Sequence, residues 1–162
     1  MRLAAALVVV AFAACTRGSA PAATPAPVRP PLPHDVAGQI RQVIDAWRTA
    51  YEHRDADALA ALYTHDADTA VVADGVPLIG WASVEPALRD RVGAAKEVHI
   101  RLKEVQVAAL GDGAAYGIAT ITRDAGDATT TVHELGTITL VFARTDQGWR
   151  IASEHYSYRR AQ

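Results

Sequence analysis

His155 and Glu134 are the side chains of this 162-residue chain that we read as candidates for proton chemistry near neutral pH, with Ser153 and Ser157 as candidate ligand contacts. An imidazole in a partly dry pocket can take or give a proton, and a carboxylate such as Glu134 can orient it. The plainer alternative is an ordinary hydrogen-bonded histidine. In a strand, side chains two apart share a face. Trp149, Ile151, Ser153, His155 and Ser157 therefore fall on one side of a C-terminal strand, with Arg150, Ala152, Glu154, Tyr156 and Tyr158 on the other. The set carrying Arg150 and Glu154 is expected outside. The inner set begins apolar and turns polar, and burying such groups without partners would cost about 1 to 3 kcal/mol each. A wet or liganded pocket around them would remove that cost.

The preceding strand should carry Glu134 on the same face as Ile138, Leu140 and Phe142. Hairpin pairing then sets Phe142 opposite Ile151 and Ile138 opposite His155, bringing Glu134 toward Ser157 and Arg159. A slip of one residue would turn Glu134 out and His133 in, so only one of the two can face inward. Trp47, Tyr51, Tyr63 and Trp81 can wall a pocket for a flat, largely apolar molecule, or simply be core. His65-Asp66-Ala67-Asp68 holds ligand-type residues, but no second cluster has metal spacing, so an Asx-type turn is expected and no metal is. No phosphate loop, dinucleotide fingerprint or serine-nucleophile motif occurs, and no cofactor is implied.

The elements that must position these groups follow from periodicity. Asp35 can cap a helix whose apolar positions Val36, Ile40, Val43, Ile44, Trp47, Ala50 and Tyr51 recur at steps of three and four. His53-Arg54-Asp55 breaks it, and Asp55 can cap a shorter helix carrying Leu59, Leu62 and Tyr63. Residues 69–73 and 76–79 flank Asp74-Gly75, a tight-hairpin dipeptide. A third helix is expected over 81–92, with Pro86 near its start and Gly93 stopping it. Four long strands, about 98–110, 114–123, 129–144 and 149–158, make an antiparallel meander. His99 and Arg101 alternate with Val98, Ile100 and Leu102 and belong on the outer sheet face, which can pair subunits. The fold class is α+β, a cone-shaped curved antiparallel sheet wrapped around N-terminal helices.

Upstream, Arg2 precedes an apolar run from Leu3 to Ala14 that is too short to span a bilayer, which needs about 20 residues, and closes on small residues as a secretory signal does. Phe12-Ala13-Ala14-Cys15 resembles a bacterial lipobox, although Phe12 departs from the usual leucine. The resemblance implies export, cleavage of residues 1–14 and lipidation of Cys15, the sole cysteine. Residues 15–33, with six of the eight prolines, read as a spacer holding the domain at 34–162 off a membrane. The expected location is the cell envelope, on the periplasmic or extracytoplasmic side. With a formal net charge of −2 and no basic stripe, the chain is not expected to bind nucleic acid.

Three segments together carry a family resemblance: the order of elements, the stretch from Leu62-Tyr63 through Asp74-Gly75 to Gly80-Trp81, and the ending Gly148-Trp149-Arg150-Ile151-Ala152-Ser153-Glu154-His155-Tyr156-Ser157. The chain is similar to the SnoaL-like group, SgcJ/EcaC type, of the nuclear transport factor 2-like superfamily, also described as cystatin-like. That resemblance implies an interior cavity and often a homodimer. It spans polyketide cyclases, ketosteroid isomerases, epoxide hydrolases and association domains, so it transfers fold better than chemistry. Three readings remain open: a lipid-anchored binder of a small apolar molecule, a cyclase-, isomerase- or hydrolase-type enzyme using His155, and a non-catalytic assembly module.

Overall fold

The computed structural model describes residues 34–160 apart from positions 74, 95, 127 and 128. The apolar run, Cys15 and the proline-rich segment lie outside the described residues.

Helix α1 (His34–His53) buries the stripe Ile40, Ile44, Trp47, Ala50 and Tyr51, the period expected of a helix with one apolar face. It begins at His34, which puts Asp35 within its first turn and not in the capping position expected from sequence. Arg54, at φ 58°, ends it, with its N–H donating to the carbonyl of Tyr51 at 3.1 Å. Asp55 caps α2 (Ala56–Ala60), its Oδ1 accepting the Ala58 N–H at 2.9 Å. Strands β1 (Ala70–Ala73) and β2 (Val76–Ile79) form the hairpin, with Gly75 at φ 81°. Helix α3 (Trp81–Ala94) runs through Gly93 and ends two residues beyond Val92, its expected last residue. Pro86 is accommodated inside it and exposed.

Strands β3 (Glu97–Ala109), β4 (Ala114–Gly126), β5 (Thr131–Thr145) and β6 (Gly148–Arg160) make the antiparallel meander. The sheet order is β2-β1-β6-β5-β4-β3, because β1 adds to β6 in parallel, with Val71 beside Glu154 and Val72 beside His155. Tyr63 extends this join by bridging to Ile151, and the Ile151 N–H donates to Leu62 O at 2.8 Å. The segment after α2 is thereby tied to the last strand.

Two irregularities bend the sheet. In β6, Phe142 pairs with Ile151 but Val141 pairs with Ser153, so Ala152 is an extra residue with no partner across the ladder. In β3 the register shifts between Lys103 and Gln106, where Glu104 adopts φ 56°. The concave face covers the core of α1, α3 and the inner side chains Ile121, Ile138, Leu140, Phe142 and Ile151.

Candidate functional site

Ala152 decides which side chains enter the cone. Ahead of it Trp149 and Ile151 are buried; beyond it the parity switches, so Glu154, Tyr156 and Tyr158 turn inward and His155 and Ser157 turn out. The expected inner set is therefore corrected after Ile151. His155 is exposed, opposite Thr139 and not Ile138, which pairs with Tyr156. Ser157 is exposed opposite Thr137, and Ser153 is half-buried opposite Val141. Glu154, expected outside, is 0 % exposed.

A fully buried carboxylate must be partnered. Three elements supply the partners of Glu154. From α1, the Trp47 indole N–H donates to its Oε2 at 3.0 Å and to the Tyr63 hydroxyl at 3.1 Å. After α2, the Tyr63 hydroxyl donates to the same Oε2. From the last turn of α3, Arg91 Nη1 reaches Oε1 at 3.4 Å and donates to the Tyr51 hydroxyl at 3.1 Å. The Arg91 guanidinium lies 4.7 Å from the ring centroid of Tyr156, in cation–π geometry.

Burial raises the Glu154 carboxyl above its ordinary range, and Arg91 and the two ring donors only partly offset this. Burial, reinforced by Glu154, pushes the Tyr51 and Tyr63 phenols well above theirs, so both stay neutral donors. Burial works against the charge of Arg91, but Tyr51 and Glu154 beside it more than compensate and it remains cationic.

A second pair sits farther along the same face. Arg123 of β4 donates to Glu134 Oε2 from Nε at 2.8 Å and approaches it with Nη2 at 2.7 Å. Its guanidinium lies 5.1 Å from the ring centroid of Tyr158, which stands 4.9 Å from that of Tyr156. Glu134 thus faces inward and His133 outward, against Asp124 at 2.9 Å; the partner of Glu134 is Arg123, and His155 lies on the other side of the sheet. Trp47, Tyr51 and Tyr63 are all buried in the core and line this polar band. Trp81 stands apart, stacked on His65 at 4.1 Å and 6.2 Å from Tyr63. In the His65–Asp68 turn, the Asp66 carbonyl accepts the Trp81 N–H at 3.0 Å and the Thr69 N–H at 3.4 Å. Among the described residues no three His, Cys, Asp or Glu side chains converge as a metal site.

The sequence reading missed Glu154, Arg91, Arg123, Tyr156 and Tyr158. One trace of them was available: in β6 the large apolar and aromatic residues fall on odd positions at Trp149 and Ile151, then on even positions at Tyr156 and Tyr158. That change of parity marks a bulge.

A curved sheet closing over α1 and α3, with an ion pair and phenols on its inner face, defines an α+β cone domain. Residues 40–160 match the model of the SnoaL-like domain, and the chain belongs to that family. Among solved structures it is similar to a protein of Streptomyces avermitilis provisionally described as a dehydratase of the nuclear transport factor 2-like family. The two are 27% identical, with a TM-score of 0.70 over 78% of this chain and 97% of that one. Also 27% identical is a Thiobacillus denitrificans structure provisionally described as a calcium/calmodulin-dependent protein kinase type II association domain, with a TM-score of 0.63 over 75% of this chain and 94% of that one. A nuclear transport factor 2-like protein of Novosphingobium aromaticivorans with a cystatin-like fold, 19% identical, matches with a TM-score of 0.61 over 75% and 80%. No curated protein matches the chain.

Proposed function

We propose that the SnoaL-like domain of this chain binds a small, flat, largely apolar molecule inside its cone, and that a lipid on Cys15 tethers it to the cell envelope. The observation that carries the first part is Arg91. Its side chain is 15% exposed beside a Glu154 that is wholly buried, so the polar band reaches solvent at this cation. Among the described residues Nη1 makes both of its hydrogen bonds, leaving donors on Nε and Nη2 for an acceptor on the ligand. Tyr156 and Tyr158 offer aromatic faces next to it, the combination of apolar wall and few polar groups that small-molecule sites use.

Similarity does not select a reaction. The two structures at 27% identity carry descriptions as different as a dehydratase and an association domain. The outer sheet face supports a homodimer as well: Ile118 at 36% and Leu135 at 39% exposure stand among Thr120, Thr122, Thr137 and Thr139, an apolar and hydroxyl strip flanked by Arg101, Asp124 and Arg159.

The test is a titration of the full chain with 1-anilinonaphthalene-8-sulfonate and 1-naphthol, followed by ligand and tryptophan fluorescence. Saturable binding at one site per chain, weakened about tenfold in Arg91→Gln, is expected for the loss of one charge-assisted bond. Binding that is absent, or indifferent to Arg91→Gln and Tyr156→Leu alike, would sink the reading.

A further inference from the structure

A groove of about 590 Å³ runs between α1 and β3, outside the cone and apart from the Glu154 cluster. Its size falls in the range of small-ligand sites, about 300 to 1,000 Å³. Strand β3 is the edge of the sheet, so half of its backbone groups face this groove and not another strand. Side chains of α1 cap the edge at two points. Glu52 Oε1 accepts the Ile100 N–H at 2.9 Å, and Arg41 Nη2 donates to the Val105 carbonyl at 3.5 Å. These two bonds occupy strand-edge groups on either side of Leu102, which leaves room for a small molecule but not for a peptide strand pairing along the edge.

Between the caps lies Leu102. Backbone direction alternates along an antiparallel pair, so the N–H and C=O of Leu102 point the same way as those of Ile100, away from β4. The floor is apolar, made by Ile44, Ile100, Leu102 and Val105. Four cations border it, Arg41 and Arg48 from α1 and, at the rim where β3 turns its alternate side chains to the outer sheet face, Arg101 and Lys103, against one carboxylate, Asp45. Arg48 is met by Asp45 and Glu52, and Arg101 by Asp124 at 3.0 Å. Among the described residues neither Lys103 nor Arg41 has a carboxylate partner.

We infer that this groove is a second binding site, for an anionic amphiphile: an alkyl body ending in one carboxylate or phosphate. The alkyl part covers the Ile44, Ile100 and Val105 side chains, and the head takes the unopposed charges of Lys103 and Arg41 with the Leu102 N–H. The same chemistry comes from a free fatty acid or from an anionic phospholipid.

The test is amide and methyl NMR of the full chain, titrated with sodium decanoate and decyl phosphate below their micelle thresholds, with 1-decanol, and with phosphatidylglycerol vesicles. Expected is a saturable shift of the Leu102 amide and of the Ile44, Ile100 and Val105 methyl signals. Decanol and the exposed-site variant Lys103→Glu should each weaken it about tenfold, the value of one charged hydrogen bond, and added salt should weaken it further. Response to decanoate identifies a free acid as sufficient; response to the vesicles alone assigns the site to the phospholipid. The inference fails if neither moves the Leu102 amide, if decanol binds as tightly as decanoate, or if the shifts fall on Tyr156 and Tyr158 instead. That last outcome would leave the cone site standing while removing the groove.

Discussion

Trp47 donates its indole N–H to Oε2 of Glu154 across 3.0 Å, joining the first helix to the last strand over 107 positions. Both partners are buried, so the bond is made where water cannot replace it. Trp47→Phe keeps an aromatic ring but strips the carboxylate of one donor. It should cost about 1 to 3 kcal/mol for the lost bond, read from urea unfolding, with some further loss for the smaller ring. Trp81→Phe, whose ring stacks on His65, removes no bond to Glu154 and should cost less. Equal losses in the two variants would contradict the role given to the Trp47 N–H.

Glu154 also sets a pH signature. Burial raises its carboxyl in the native state, so the folded chain holds that proton more tightly than the unfolded one. The resulting stability is fully present below the ordinary carboxylate range and is lost as pH rises through the elevated native value. Urea midpoints of the parent chain and of Glu154→Gln, measured from pH 4 to 8 (~4 units), should diverge with rising pH in favour of the glutamine variant. A divergence in the parent's favour would mean that Arg91 outweighs burial.

His155 sits on the solvent side of β6, so its truncation should behave as a surface change. His155→Ala is expected to alter stability by no more than about 0.5 kcal/mol and to leave ligand fluorescence in the cone untouched. Deleting Ala152 is the informative contrast. It would remove the bulge yet leave Glu154 inward opposite Leu140, because Ile151 and Glu154 would then stand two apart, so circular dichroism should report a cooperative transition that is kept, at a midpoint lowered by the lost bend.

Strands β5 and β6 approach too closely for a side chain at Gly136. A Cβ there would stand 1.9 Å from the carbonyl oxygen of Ser157, a backbone atom that cannot step aside. Gly136→Ala should destabilise by about 1 to 3 kcal/mol, as overpacking does. Gly93, in α3, has nothing within 4 Å of its would-be Cβ. Gly93→Ala should therefore be neutral or stabilising by up to about 1 kcal/mol. Thermal unfolding of both variants gives the sign directly.

The proposed dimer is checked on the outer face. Leu135→Lys puts a charge at an exposed apolar position and should shift the full chain from dimer to monomer in analytical ultracentrifugation, with the melting curve of the monomer little changed. A parent chain that already sediments as a monomer removes the proposal.

The elements themselves were legible because each is a local pattern. The α1 stripe from Ile40 to Tyr51, the Asp55 cap, the β1–β2 hairpin with its turn at Gly75 and the four strands of the meander all appear where period and turn chemistry put them. Even the Phe142 to Ile151 pairing could be counted back from the last turn. The interior could not, because it rests on one uncompensated residue. From Ile151 backward, alternation holds; at Ala152 it slips by one, and every side chain beyond changes face. No local propensity of Ala152 announces this.

By itself, then, the sequence determined the α+β class, the order of helices and strands, and the aromatic residues that α1 and the segment after α2 bring to the core. Tertiary structure alone decided that Glu154 and not His155 enters the cone, that Arg91 arrives from α3 to meet it, and that Glu134 pairs with Arg123. The physical reason is that strand parity is a property of two paired strands. A bulge is placed by the packing of a curved sheet over its helices, and a carboxylate can be buried only where distant elements converge to give it partners.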